Sequence, residues 1–213
     1  APRPQDHHSI FRAVSGADIA NRAELSNEVS LKQAQQSPFI LFASSTGVYH
    51  QTDGSWVDEH SPTAPTLFSG QCMLKAEQLL DHSGLPYCCV RFGGIYGPGR
   101  DFLIQQVQAG QGGGPEFTNR IHQQDAGRVL SFLVQLILQN NRLPKILLAC
   151  DSAPVSSQTV RQFIAQQLGL AHDALAPSAS GRGGNKRCSN KKLLQLGFQP
   201  NYPTFKEGYK KVA

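Results

Sequence analysis

Three short strand-like runs constrain this chain more than anything else in it: the continuous apolar 39–43 (Phe-Ile-Leu-Phe-Ala), and the mostly apolar 87–92 and 145–150, which carry Arg91 and Lys145. Runs of five or six residues without alternation are the pattern of strands covered on both faces. Such strands belong to parallel sheets flanked by helices. Helical periodicity fills the intervals, at 67–82, 102–107, 125–139, 160–168 and 191–196. Gly84, Gly169 and Gly197 follow three of these stretches, where a left-handed cap is needed, and Ser189-Asn190 opens the last. A weaker helical pattern over 10–36 carries Phe11, Val14, Ile19, Ala23 and Leu25 and ends before Pro38. Residues 116–121 read as a strand, 110–114 as a turn, and the Ser/Gly/Ala-rich stretch 172–187 as mobile. Strands alternating with helices predict an α/β fold with a mainly parallel sheet. Three core strands are few for a doubly wound sheet.

Composition narrows the class. A chain of 213 residues with 39% hydrophobic and 16% charged residues has the make-up of a globular protein, not of a disordered one. Its longest apolar stretch, 130–138, is about half of the ~18 residues that cross a bilayer, so no membrane role is expected. The opening Ala1-Pro2-Arg3-Pro4 lacks the apolar stretch of a signal peptide. Its first residue is not Met, so loss of an upstream segment is expected. Cys72, Cys88, Cys89, Cys150 and Cys188 show no metal-ligand spacing. Cys88 and Cys89, adjacent in a strand, point to opposite faces and cannot chelate together. They read as reduced thiols of a cytoplasmic protein, with no metal site. The net charge of +5 is uneven, with eight Lys/Arg against Glu207 alone in 181–213. Without aromatic interleaving or a nucleic-acid motif, that charge reads as a solvated helix face and tail; nucleic-acid contact is the least favoured reading.

A dinucleotide site needs a glycine-rich turn between a buried strand and a helix, where backbone N–H groups reach a pyrophosphate. Neither Gly110-Gln111-Gly112-Gly113-Gly114 nor Gly181-Arg182-Gly183-Gly184 has that context. Gly97-Pro98-Gly99 follows a strand, but Pro98 removes a donor. No phosphate cradle is predicted.

Several segments nevertheless occur in a telling order. Ser44-Ser45-Thr46-Gly47-Val48-Tyr49 ends the first strand. Phe68-Ser69-Gly70-Gln71-Cys72-Met73-Leu74-Lys75-Ala76-Glu77 opens a helix. Arg91-Phe92-Gly93-Gly94-Ile95-Tyr96-Gly97-Pro98-Gly99-Arg100 leaves the second strand. Arg120-Ile121-His122-Gln123-Gln124-Asp125 and Asn185–Leu194 follow, and Glu59, Pro62 and Pro65 fit the loop before the helix. This order resembles the extended short-chain dehydrogenase/reductase superfamily, of the NAD-dependent epimerase/dehydratase type. The resemblance implies a Rossmann-like, mainly parallel sheet, truncated at its N-terminus, with a small C-terminal substrate lobe. Residues 1–98, continued by 122–150, would form the C-terminal part of the Rossmann-like domain; 99–121 and 151–213 would form the lobe. Ala1-Pro2-Arg3-Pro4 resembles the loop after the family's fourth strand, so a glycine-rich half of about 70–90 residues would be absent.

In the family a Tyr opens this helix and a Lys follows four residues later, on the same face. The ammonium lowers the phenol's pKa, and the Tyr exchanges a proton with substrate while hydride moves to nicotinamide. Here those positions hold Ser69 and Met73. A Ser hydroxyl is too weak an acid for that shuttle and Met carries no charge. Lys75, six residues beyond Ser69, falls about 120° round the helix. The nearest kin would be a subgroup in which Ser-Gly replaces Tyr-Gly.

Further roles follow from the resemblance alone. Ser45 matches the catalytic Ser at the strand's end, and Tyr49 is a candidate substitute acid. Ser44, Ser45, Gly93, Gly94 and Tyr96 would face the cofactor, NAD or NADP. Gly94 stands where the family often has Asn. Arg120, His122 and Lys186 would contact substrate, with Arg187 adding to one basic rim suited to an anionic group. Asp125 is expected as a helix N-cap. The implied partner is a small molecule, nucleotide-sugar-like or otherwise hydroxylated, with a homodimer left open. Two functions stay in play: an NAD(P)-dependent enzyme with its catalytic pair replaced, or a sensor that binds nucleotide or metabolite without turnover.

Overall fold

The computed structural model describes residues 38–171, 175–177 and 184–210. The helical pattern expected over 10–36 lies outside them, as does much of 172–183. Everything below concerns the compact unit 39–213.

The three apolar runs become β1 (Ile40–Ser45), β3 (Tyr87–Phe92) and β7 (Ile146–Ala149), a parallel sheet in the order β1-β3-β7. Every residue of β3 is buried, as expected of a central strand, including Arg91, whose charge is met by Glu77. Register aligns the strand ends: Ser45 pairs with Phe92, and Phe92 with Ala149. Three loops therefore leave the carboxyl edge side by side, which is where open α/β sheets gather ligands.

A single-turn 3-10 helix, Thr46–Val48, follows β1. The two-residue β2 (Trp56–Val57) precedes α1 (Phe68–His82), and Gly84 beyond it takes φ +71° as its cap role requires. The chain continues through β4 (Gly94–Tyr96), α2 (Phe102–Gln108), β5 (Phe117–Thr118) and β6 (Arg120–His122). The strand expected over 116–121 is thus two short strands with different partners: β5 pairs β8 and β6 pairs β4. Next come α3 (Gln123–Leu138), β8 (Val155–Ser156), α4 (Ser157–Gln167), β9 (Arg187–Cys188), α5 (Lys191–Gln195) and α6 (Phe205–Tyr209).

Two of the three apolar clusters among the described residues position the site. One joins the sheet to α3 through Val90, Phe92, Val129, Leu133 and Leu147. The other joins α2, α4 and α6 through Val107, Val160, Ile164, Phe205 and Tyr209. Tyr96 of β4 belongs to the second, so the strand leaving the sheet edge is also the wall of the helical layer.

Candidate functional site

The carboxyl edge of β1 is tightly built. Gly70, in the first turn of α1, lies so close to the Gly47 carbonyl that a Cβ would collide with it, so no other residue lets helix and strand end approach this far. Ser45 Oγ accepts from Gly47 N at 3.0 Å and caps the short 3-10 helix. One position before it, the buried Ser44 donates to Glu77 Oε1 at 2.6 Å. Glu77 in turn binds Arg91 in two-point fashion, Nε to Oε1 at 3.0 Å and Nη2 to Oε2 at 2.6 Å. Both side chains are 5% exposed, and the pair ties α1 to the central strand.

Tyr49 completes this network rather than standing free. Its hydroxyl donates to the Asp58 carbonyl at 2.7 Å and accepts from Arg91 Nη1 at 2.7 Å. Burial raises its pKa above the usual phenol value, against the opposing pull of Arg91. Ser69 is exposed. Met73, one turn on, packs against Val48, Tyr49 and Val57. Lys75 lines a separate hollow with Pro65 and Gln78, as its helical angle predicts. Among the described residues, no phenol–ammonium pair stands beside Ser45.

The loop leaving β3 is different. Gly93 N donates to Ala149 O at 2.9 Å, and its Cα lies against the backbone of Arg120, leaving little room for a side chain. Gly94 is exposed. Beyond them Tyr96 turns inward, 5% exposed, into the wall of a cavity of about 610 Å³. The same cavity is lined by Gly97 and Pro98, by Asp101, Gln105 and Gln108 of the α2 side, by His122 and Gln124, and by Tyr202, Glu207 and Tyr209.

His122 is the N-cap of α3: its Nδ1 accepts from Gln124 N at 3.3 Å, which leaves the ring proton of the neutral form on Nε2. Burial lowers its pKa, with Asp125 opposing, so the imidazole is neutral at pH 7. Tyr202 stacks on it at 3.6 Å between centroids, and Tyr96 meets its edge at 5.3 Å. Asp125, expected as the cap, instead sits in the first turn and accepts from Asn201 N at 3.0 Å and Tyr202 N at 2.8 Å. It thereby anchors the segment that carries Tyr202. The helix begins two residues earlier than its apolar pattern suggests, with the His122 ring nitrogen accepting the Gln124 amide at its start.

Behind this wall lies a buried polar group. Arg120 is 7% and Asp151 3% exposed, and Asp151 N donates to Arg120 O at 2.7 Å. Arg120 Nη1, Asp151 Oδ2 and the Tyr96 hydroxyl have no hydrogen-bond partner among the described residues. Burial pushes the Asp151 carboxyl up to about 7, against the pull of Arg120. Tyr209 stacks on Tyr96 at 4.6 Å, and both rings line the cavity.

The basic residues expected on one rim are distributed. Arg120 stands in the second layer, giving Nη2 to Thr118 Oγ1. Lys186 is 2% exposed and donates to the Tyr49 carbonyl at 3.4 Å. Arg187 lies over the rings of Trp56 and Phe117 and donates to Gly54 O. Tyr96 and His122 do share the cavity, as their sequence positions suggested. Tyr202, Glu207 and Tyr209 escaped sequence reasoning, since each is distant in the chain and carries no motif; the Thr204–Glu207 capping box was the one readable signal there.

A cofactor's pyrophosphate would need free amides at a glycine-rich turn. At Gly112-Gly113-Gly114 the opposite holds: Ser157 N and Gln158 N, at the start of α4, donate to Glu116 O and Gly114 O.

A parallel sheet whose strands end in register at a Ser-bearing edge, with a helical layer enclosing a cavity beyond it, defines a Rossmann-like α/β protein. Comparison with solved structures carries this further. The chain is 34% identical to a structure from Methylobacillus flagellatus assigned to the NAD-dependent epimerases/dehydratases, with a TM-score of 0.72 over 87% of this chain and 67% of that one. A conserved protein of unknown function from Silicibacter pomeroyi is 28% identical, with a TM-score of 0.71 over 89% and 71%. UDP-glucuronic acid 4-epimerase from Bacillus cereus, solved with NAD, shares the fold at 16% identity and a TM-score of 0.66, over 81% of this chain and 58% of its own. No protein-family model and no curated protein matches the chain. The chain belongs to the NAD-dependent epimerase/dehydratase family.

Proposed function

We propose that the protein is an NAD(P)-binding, epimerase/dehydratase-like protein that holds a hydroxylated small molecule without the Tyr/Lys proton relay of its family. The carrying observation is the state of the α1 edge. Ser69 is exposed, Met73 is packed into the apolar cluster, and the hydroxyl of Tyr49 is held between Asp58 and Arg91. Ser45, Gly93 and Gly94 would face the cofactor from the carboxyl edge, whereas the Ser44 hydroxyl is engaged by Glu77. When bound, NAD or NADP supplies a hydride acceptor or donor. The substrate would lie in the cavity walled by Tyr96 and His122, where the neutral imidazole presents an Nε2 proton.

Two outcomes follow for chemistry. An enzyme with a substitute acid is favoured by His122 in the cavity wall. A sensor that binds without turnover is favoured by Met73, which packs where a charge would be needed. Fluorescence titration of the whole protein with NADH and NADPH tests the shared premise: absence of binding to either sinks both readings. Turnover by the unmodified protein selects the enzyme. Turnover that appears only in the Ser69→Tyr, Met73→Lys double variant selects the sensor.

A cytoplasmic setting is part of the same proposal, supported by four buried free thiols. Self-association is supported by the exposed Phe68 and Leu79 of α1, and light scattering would report it.

A further inference from the structure

The cavity beyond the sheet edge has a charge that its family resemblance does not suggest. Its described lining includes two carboxylates, Asp101 and Glu207, and no Lys or Arg. Glu207 is held ionised: Thr204 Oγ1 and Thr204 N both donate to its Oε2, and its pKa lies below the usual carboxylate range. Ring surfaces of Tyr96, Tyr202 and Tyr209 make up much of the rest. The basic side chains nearest in sequence do not supply compensation. Arg120 is not part of the lining; it lies behind Tyr96, near Asp151, whose carboxyl, pushed up to about 7, offsets it only in part. His122 is neutral, for the reason given above.

A second observation points to a ligand. Tyr96 is 95% buried by its 5% exposure, and its hydroxyl has no partner among the described residues. That hydroxyl ends against Gly208, itself part of the cavity lining, where a Cβ would collide with it. A buried phenol without a partner is costly unless something else satisfies it.

We propose that this cavity binds a hydroxylated molecule bearing an ammonium group, with the cation between Asp101, Glu207 and the tyrosine rings. Carboxylates and ring faces both attract a cation, and a space enclosed by low-dielectric walls strengthens both attractions. Gln105, Gln108 and Gln124 supply the donors and acceptors that hydroxyl groups need. A phosphate or carboxylate entering here would meet two negative charges and no cation of the lining. This inference rests on the cavity being the substrate site of the proposed function, and it names the class of that substrate.

The test uses three probes with one ring and three charges: glucosamine in slightly acidic buffer, N-acetylglucosamine, and glucose 6-phosphate. Binding to the whole protein is measured by calorimetry and ligand-observed NMR. Glucosamine should bind about tenfold more tightly than N-acetylglucosamine, with glucose 6-phosphate weakest. Asp101→Asn, at an exposed position whose side chain makes no cap bond, should keep the fold and reduce that preference severalfold. Equal affinities, tighter binding of the phosphate, no binding of glucosamine, or an unchanged preference in Asp101→Asn would each overturn the proposal. A parallel NADH titration keeps the two readings apart. Amine binding without NADH binding leaves this inference standing and removes the cofactor. NADH binding with no amine preference does the reverse.

Discussion

Two regions at the carboxyl side of this sheet carry the family's sequence landmarks, and they are built on opposite principles. At the β1–α1 edge, the buried charges are paired: Glu77 with Arg91, with Ser44 and Tyr49 filling the remaining bonds. At the Tyr96–His122 wall, three buried polar atoms lack partners among the described residues, and Tyr96, which carries one of them, lines a cavity of about 610 Å³. Satisfied buried networks fix a fold; unsatisfied ones mark where a ligand or water completes the bonding. In the function proposed above, the β1–α1 edge acts as framework and the ligand lies against the wall.

The largest expected effect breaks the framework side. Arg91→Ala leaves Glu77 buried and unpaired and removes a bond to Tyr49, so urea denaturation should show a loss of about 3–5 kcal/mol. A loss below 1 kcal/mol would mean that the edge is not the rigid partner in the comparison.

The wall should respond to pH where the edge does not. Asp151 is pushed from 3.8 to about 7, so the folded state holds its proton more tightly than the unfolded chain. Stability should therefore fall as pH rises from about 4 to 7, by a few kcal/mol, and level off above. Asp151→Asn should flatten that slope. An equal slope in variant and parent would show that Asp151 is not the group responsible.

A smaller effect concerns the helix approach. Gly70→Ala places a methyl group against the Gly47 carbonyl and should cost about 1–3 kcal/mol in the same denaturation experiment. The smallest belongs to Ser45→Ala, which removes one cap bond to Gly47 N and should cost about 0.5–1.5 kcal/mol. If Ser45→Ala leaves cofactor and ligand binding unchanged as well, the role of Ser45 is confined to capping.

Much of the scaffold was legible because it depends on local pattern. The runs 39–43, 87–92 and 145–150 correspond to β1, β3 and β7, and the helix predicted over 67–82 starts one residue later. Ser69 and Met73 stand four residues apart in the sequence, and only the family resemblance implied that a Tyr/Lys pair would be expected there. Gly84 and Gly169, with φ of +71° and +68°, were predictable because only glycine takes that conformation at no cost.

What the sequence could not assign is the environment of each polar group. Arg91 and Arg120 look alike as motif arginines, yet one is ion-paired to a residue 14 positions away and the other lies near Asp151, whose Oδ2 has no partner among the described residues. Tyr202 reaches His122 only because Asp125 binds the backbone 77 residues further on. Sequence determined the core strands and most of the helices, since these follow from periodicity and short spacing. Tertiary structure alone decided which hydroxyls are spent on packing and which line a cavity, because burial and pairing are set by segments that meet only after folding.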